Sequence, residues 1–155
     1  MKLKTMRRVY LREAAVMLAL ARLAVRWVPP ARIFAWASRP PRRICRFAID
    51  EVSWISWAVE NLGARGRMNS ACLPRALAAQ AMLRRRGITS RLCIGVARED
   101  GAIAAHAWVE VGKDKIVVGA EAGAFTRIAE FGGARDDGVR MFLANRPFWQ
   151  SSSFR

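Results

Sequence analysis

The spacing of apolar residues over the first 28 positions predicts a long amphipathic helix. At about 100° per residue, five apolar residues fall on one stripe, interrupted by Glu13, and a basic stripe lies opposite. The apolar stripe comprises Val9, Val16, Leu20, Leu23 and Trp27, and the basic stripe comprises Arg8, Arg12, Ala15, Ala19, Arg22 and Arg26. We place the helix from about Thr5 to Val28, before Pro29 and Pro30. We expect it to pack against its own domain, with peripheral membrane contact as the second option.

The same segment has the outline of a secretory signal peptide but not its charge pattern. It begins with basic residues, continues with the apolar run AAVMLALA and includes an A-L-A triplet that mimics a cleavage site. Glu13 stands at the head of that run, however, and Arg22 and Arg26 continue the helical period beyond it. The uncharged run is also far shorter than the roughly 20 residues that cross a bilayer. We therefore interpret the segment as a helix of the domain.

Two shorter helices are predicted next, over 31–37 and 49–62, with the basic loop SRPPRRICR between them. The second of these helices is expected to bury Trp54, Trp57 and Ala58. A segment rich in glycine and arginine, GARGRMNS, then leads into the stretch NSACLPRALAAQAMLRRRG.

That stretch carries both the start and the stop signals of a helix. Asn69 or Ser70 can serve as the N-cap, and Pro74 falls in the first turn, where the N–H groups have no helical partner. Gly87 follows three arginines, whose charge complements the negative end of the helix dipole. Cys72 therefore lies at the positive end of the helix, which favours the thiolate, the reactive form of the side chain.

After Gly87 the apolar period changes from about 3.6 to about 2, which predicts strands. The predicted strands are 91–96, AHAWVEV at 105–111 and KIVVGAE at 115–121, and the turn GKD joins the last two. In AHAWVEV, one face carries His106, Trp108 and Glu110, and the other carries Ala107, Val109 and Val111. The chain as a whole predicts an α+β fold, with an N-terminal helical layer, a central helix headed by Cys72 and a small antiparallel sheet.

Composition limits the classes of protein without choosing a ligand. A chain of 155 residues has the size of a single domain, and 53% hydrophobic residues exclude a disordered protein. The net charge of +15 suits nucleic acid, anionic lipid or an acidic peptide. Because 23 of the 27 basic residues are arginine and alanine is abundant, we favour genome base composition as the origin of most of this charge.

Cysteine and histidine usage narrows the chemistry. Cys45, Cys72 and Cys93 are widely spaced and form neither a disulfide framework nor a C-x-x-C zinc pair, which favours a reducing, cytoplasmic compartment. His106 is the single histidine, so any chemistry that needs an imidazole must use it. A metal site with two histidines is excluded, and we expect neither a metal nor a cofactor.

Cys72 and His106 together suggest a nucleophile and its base. A thiol nucleophile needs an imidazole to take its proton and later return it to the leaving amine, and a third group holds the imidazole in the correct tautomer. Taken singly, each residue suits a structural role, whereas the combination favours catalysis. Cys45 lies in a basic loop without an orienting element, and Cys93 alternates with core-facing residues of a strand, so both are weaker candidates.

Glu121 is the geometric candidate for the third group. If a two-residue loop joins the last two strands, His106 lies directly opposite Glu121, with Cβ atoms about 5 Å apart. A three-residue loop would bring Ala120 opposite instead. Glu110 shares the face of His106, but four residues of strand place it roughly 13 Å away. Asp114, in the turn, is farther still.

At these residues the sequence resembles a known family. The stretch CLPRALAAQAMLRRRGI, followed by LCIGVAR and AHAWVEV, is similar to the protease that removes the leader peptide during lasso-peptide maturation in bacteria. The resemblance is specific from about 69 to 118, and the basic N-terminal helix agrees more loosely. That protease belongs to the transglutaminase-like, papain-type superfamily. The resemblance implies a papain-like core in which Cys72 is the nucleophile and His106 the base. We take 1–155 as one domain, with an N-terminal helical layer at 1–62, the protease core at 63–131 and a tail at 132–155.

The resemblance also implies a substrate and partners. The substrate would be a ribosomally made precursor peptide, cut between leader and core so that an ATP-dependent lasso cyclase can close the ring. Some relatives carry a small leader-recognition domain in front of the protease. Because the first 60 residues are predicted as helices, the resemblance implies the split, stand-alone form, which relies on a separate small leader-recognition protein. No specific nucleic acid is expected as a partner.

One departure and two alternatives accompany this interpretation. The family's third residue is typically an aspartate after the HAWVE strand, and the following strand here has none, so Glu121 substitutes or another group orients His106. An amidase or acyltransferase of the same superfamily would use the same residues on another substrate. A non-enzymatic basic module that binds nucleic acid or membrane is the other alternative. The sequence lacks the aromatic and basic platforms of RNA-binding sheets and any helix-turn-helix spacing.

Overall fold

Helices form the first part of the chain and an antiparallel sheet forms the second. The computed structural model describes residues 3–44, 49–63, 72–112, 115–133 and 140–141. Within these residues the helices are α1 (Leu3–Trp27), α2 (Pro30–Ala37), α3 (Ile49–Gly63) and α4 (Cys72–Arg85). The strands are β1 (Ser90–Glu99), β2 (Ala102–Val111), β3 (Lys115–Val118), β4 (Thr126–Gly132) and β5 (Arg140–Met141). A 3-10 helix (Ala120–Ala124) connects β3 to β4. The predicted α+β fold with its helical layer and antiparallel sheet is confirmed.

The signals that end α4 act as the sequence predicts. Gly87 has a φ of 72°, in the left-handed region that glycine adopts without a steric penalty. The Gly87 N–H donates to the Arg84 carbonyl, and the Ile88 N–H donates to the Leu83 carbonyl, each at 3.0 Å. These two bonds are those of a Schellman motif, which satisfies the last carbonyls of a helix. The predicted caps Asn69 and Ser70 lie outside the described residues.

The main core lies between the helices and one face of the sheet. The strand order is β3-β2-β1-β4-β5, and every pair is antiparallel. Helix α4 is central and packs against α1, α3, β1 and β2. Its buried alanines and Leu83 share one cluster with Ala107, Val109 and Val111 of β2. The alternation predicted for β2 is therefore confirmed, and we call this side the core face.

Helix α1 packs against its own domain, but not through its apolar stripe. The buried positions are Tyr10, Ala14, Leu18 and Ala21, whereas Val9, Val16, Leu20, Leu23 and Trp27 are exposed. Two features explain why this other side of α1 is buried. The buried alanines leave room for neighbouring helices to approach closely. Glu13, beside the stripe, accepts hydrogen bonds from Arg86 at 3.0 and 2.6 Å and thus ties α1 to the end of α4.

The burial of α3 also differs in part from the prediction. Ala58 is fully buried, whereas Trp54 and Trp57 are half-buried. The two indole rings meet edge to face at 5.7 Å, and the Arg7 guanidinium covers the Trp57 ring at 4.8 Å. Because α1 covers these rings only partly, they lie at the margin of the core. Among the residues that the structure describes, none of the helices is both long and apolar enough to cross a bilayer.

Strand β3 is shorter than predicted, which changes the position of Glu121. The pairing begins at Val111 with Lys115, shifts at an irregularity and ends at Val109 with Val118. Gly119 then has a φ of 89°, and the 3-10 helix begins at the next residue. The expected strand pairing of Glu121 with His106 is therefore wrong. The physical reason is topological: β4 lies beyond β2 and β1 in the sheet, so the chain must leave β2 to reach it.

Candidate active site

Cys72 is the first residue of α4. Its thiol is free of any disulfide and half-buried at the margin of the main core. The first N–H groups of a helix have no intrahelical partner and carry partial positive charge. Cys72 is therefore held beside a backbone environment that stabilises developing negative charge. Cys45 lies outside the described residues.

Cys93 has the opposite environment. It lies on β1 with no exposed surface, among Trp108 and Ala122. Burial, together with the nearby Glu110 carboxylate, raises the pKa of the Cys93 thiol to about 12. Because the thiolate is the nucleophilic form, Cys93 is inert near neutral pH.

This difference predicts selective labelling of the native protein. At pH 8 we expect iodoacetamide to alkylate Cys72 but not Cys93, since roughly one in 10⁴ Cys93 thiols is ionised. In denaturant both should react, because an unfolded thiol has its ordinary pKa. Peptide mass spectrometry reads both sites, and Cys93→Ala controls for assignment. The raised pKa of Cys93 also lowers the free energy of unfolding as pH rises from about 9 to about 12, because over this range only the unfolded thiol releases its proton. Native labelling of Cys93 as fast as that of Cys72 would contradict this assignment.

His106 lies on the face of β2 opposite the core face. The imidazole is buried and stacks on the Phe125 ring at 4.9 Å and on the Trp108 ring at 6.2 Å. On the paired strand β1 its partner is Gly95, where an added Cβ would lie 2.8 Å from the Trp108 ring. The glycine therefore leaves the space that the Trp108 ring occupies. We call this side of the sheet, with Cys93, His106 and Trp108, the histidine face.

His106 and helix α4, which carries Cys72, lie on opposite faces of the sheet. The sequence suggests that the histidine strand packs over the start of α4, but α4 packs on the core face. At the end of β3 the pairing with β2 stops at Val118, and the 3-10 helix lies beside β2 from there. Gly119 lies at that end, and a Cβ added there would be 3.0 Å from His106 Nε2.

Glu60 of α3 joins the first turn of α4 to this edge. Its Oε2 accepts from Arg75 Nη1 at 3.0 Å, and its Oε1 accepts from the Gly119 backbone N–H at 3.0 Å. Arg75 lies three residues after Cys72, so their side chains are neighbours on the helix surface. Two hydrogen bonds of Glu60 thus connect Arg75, in the turn that begins with Cys72, to Gly119, which lies beside the imidazole of His106.

Sequence reasoning missed Glu60. It lies near the end of a predicted helix and belongs to no recognisable motif. Gly63 follows one turn later, and a Cβ there would lie 2.3 Å from Arg75 Cδ. This glycine leaves the space that the stem of Arg75 fills.

We expect Glu60→Ala to weaken both fold and site. It removes the acceptor for the Gly119 N–H and the charge partner of Arg75, which should cost about 1–3 kcal/mol of unfolding free energy. Glu60→Gln retains an acceptor for Gly119 and should restore part of the loss. Urea denaturation measures the loss of stability. Steady-state kinetics measures the effect on the site, and we expect kcat to change more than KM. Glu51→Ala, on the same helix, is the matched control, and an equal effect of the two alanine variants would contradict a specific role for Glu60.

Glu110 does not serve His106 but holds the neighbouring Trp108. Its Oε1 accepts from Trp108 Nε1 at 2.8 Å and also meets Arg127, while its Oε2 pairs with Arg91 at 3.2 Å. Glu130 pairs with the same two arginines. This network fixes the indole on which the imidazole stacks. Glu110 is consequently engaged away from the candidate catalytic pair.

Glu121 falls in the 3-10 helix, directly after the turn that brings Gly119 to His106. Its side chain lies outside what the structure describes. Within the described residues, no group of three or more histidine, cysteine, aspartate or glutamate side chains is arranged to hold a metal ion.

A family model described as the transglutaminase-like superfamily matches residues 14–130. The match covers more than half of the chain and includes both Cys72 and His106. The chain belongs to the transglutaminase-like superfamily. That superfamily generally contains cysteine-dependent enzymes, which suggests chemistry of the cysteine-protease or acyltransferase type. No curated protein and no solved structure matches the chain significantly.

Proposed function

We propose that this transglutaminase-like protein is a cysteine endopeptidase that removes the leader from a ribosomally made lasso precursor peptide. One observation carries the chemistry: a half-buried cysteine begins α4, and contacts through Glu60 and Gly119 link its turn to the single histidine. The substrate class comes from the sequence resemblance between 69 and 118. Cleavage would precede ring closure by an ATP-dependent cyclase.

The proposed reaction has two stages that share one acyl-enzyme. His106 takes the thiol proton of Cys72, and the thiolate sulfur attacks the carbonyl carbon at the end of the leader. The carbon–nitrogen bond then breaks, and the imidazolium returns the proton to the leaving amine of the core peptide. Water next attacks the thioester with His106 as base, releasing the leader carboxylate and the free thiol. The backbone N–H of Cys72, at the positive helix end, would stabilise each oxyanion.

Glu121 remains our proposed orienting group for the imidazole. It belongs to the short helix that follows Gly119, where an added Cβ would lie 3.0 Å from His106 Nε2. An orienting carboxylate assists the base without replacing it. Glu121→Gln should therefore lower the rate but leave measurable turnover, whereas an unchanged rate would remove Glu121 from the proposed site.

A separate leader-binding protein is the proposed partner. The resemblance implies this split form, and the described residues ahead of α4, within 3–44 and 49–63, contain helices, as that form requires. The protease alone should then cleave slowly, and the addition of the leader-binding protein should raise its rate. Equal rates with and without that protein would contradict this part of the proposal.

The test is mass spectrometry of lasso-class precursor peptides from the same genome, incubated with the protein and with a leader-binding protein. Two products whose masses sum to the precursor plus one water indicate hydrolysis. A product joined to an added amine would instead indicate an acyltransferase, and release of ammonia an amidase. Nucleic-acid binding with steep salt dependence, by a Cys72→Ala variant of full biological activity, would favour the non-enzymatic alternative.

A further inference from the structure

The solvent-facing side of α1 carries a continuous apolar stripe. Val9, Val16, Leu20, Leu23 and Trp27 are 50%, 55%, 54%, 57% and 76% exposed. Their spacing of seven, four, three and four residues keeps all of them on one side of the helix. At about 1.5 Å per residue, the stripe is roughly 27 Å long. Single exposed apolar residues are ordinary, but a row of this length indicates a contact surface.

The basic stripe borders this apolar stripe along one flank, about 90° away around the helix, so the prediction that the two stripes lie opposite each other is wrong. Arg8, Arg12, Arg22 and Arg26 are all exposed, and the exposed Ala15 and Ala19 complete the flank. The single acidic residue of α1, Glu13, does not offset them, since it is paired with Arg85 at 3.3 Å and Arg86 at 2.6 Å. The surface therefore combines apolar side chains with positive charge that the acidic residue of α1 does not offset.

An apolar groove continues the stripe toward α2. It has a volume of about 400 Å³ and lies between α1, α2 and α4, with Leu20, Ala24, Val28, Trp36 and Leu77 among its walls. Arg32 is the charged residue that lines it. Leu20 belongs to both the stripe and the groove. A site with apolar walls and one cation suits an acyl chain that ends in an anionic headgroup.

We propose that α1 docks this protein onto an anionic phospholipid bilayer. The stripe enters the boundary between headgroups and acyl chains, and the arginine flank binds lipid phosphates. Trp27, at the end of the stripe, lies where an indole favours the membrane interface. A nucleic acid would account for the arginines but not for the apolar row. This function is separate from the proposed peptidase chemistry and needs no substrate for its test.

The experiment is co-sedimentation of the full-length protein with phosphatidylcholine vesicles, with and without about 30% phosphatidylglycerol. We expect binding to the anionic vesicles only, weakening as salt rises. The double variant Leu20→Glu/Leu23→Glu should lose at least about tenfold in affinity, because charged side chains cannot enter the acyl boundary. Arg12→Gln/Arg26→Gln should also weaken binding to the anionic vesicles. Ile103→Glu is the matched control, since Ile103 is 80% exposed on the sheet. It should bind as the wild type does.

Three results would overturn the proposal. One is the absence of binding to anionic vesicles by the folded wild-type protein. Another is unchanged binding by Leu20→Glu/Leu23→Glu, which would reduce the interaction to surface charge. The third is a wild-type dimer in size-exclusion chromatography that becomes monomeric in this variant while vesicle binding persists, which would make the stripe a self-interface. Melting temperatures measured beside each assay show whether the variants remain folded.

Discussion

Replacing Cys72 with alanine should abolish precursor cleavage, and His106→Ala should do the same. The first change removes the attacking sulfur, and the second removes the single imidazole in the chain. We expect kcat to fall by about 10⁴-fold or more in either variant. Because the two residues act as one unit, the double variant should be no slower than either single variant. Quenched time courses analysed by mass spectrometry measure these rates.

The matched control for this pair is Cys93→Ala. Cys93 is buried on the histidine face and its thiol stays protonated near neutral pH, so its loss should leave cleavage almost unchanged. Circular dichroism spectra of all variants should match that of the wild type. Complete cleavage by Cys72→Ala would refute the assignment of the nucleophile, and additive losses in the double variant would refute a shared mechanism.

Gly119→Ala is expected to damage stability and activity together. Gly119 has a φ of 89°, which costs a residue with a side chain about 1–3 kcal/mol. The added Cβ would also lie 2.8 Å from Trp108 Cβ and 3.0 Å from His106 Nε2. We expect a loss of about 2–4 kcal/mol in unfolding free energy from strain and overpacking. The displaced imidazole should lower kcat at least about tenfold, since small misplacements of a catalytic group are costly.

Gly123→Ala supplies the control within the same short helix. Among the described residues, leaving out its neighbours along the chain, no atom lies within 4 Å of a Cβ added to Gly123, and its φ is not positive. This variant should keep the stability and the rate of the wild type. Urea denaturation and steady-state kinetics compare the two glycines. Equal behaviour of both variants would mean that the close approach of Gly119 to His106 has no role in the site.

Local signals in the sequence predicted much of the fold. Pro74 and Gly87 mark the first turn and the end of α4, and the alternation in β2 predicts which residues face the core. Each depends on backbone geometry or hydrogen bonds among residues a few positions apart. Local signals could not predict which side of α1 faces the core, because its apolar stripe is as periodic as its buried side. Packing against α3 and α4, through small residues such as Ala14, selected the buried side.

The candidate site, like the fold, has some features that the sequence predicts and others that only the tertiary structure shows. The sequence by itself determined that Cys72 begins a helix, that His106 lies on a strand and that no other imidazole is available. Only the tertiary structure decided that β3 ends at Val118 and that Glu60 accepts from Gly119, 59 positions away. The physical reason is the distance along the chain between the residues that interact. Caps and strand periods follow from neighbouring residues, whereas the end of β3 and the bridge from Glu60 depend on how the helices and the sheet are assembled.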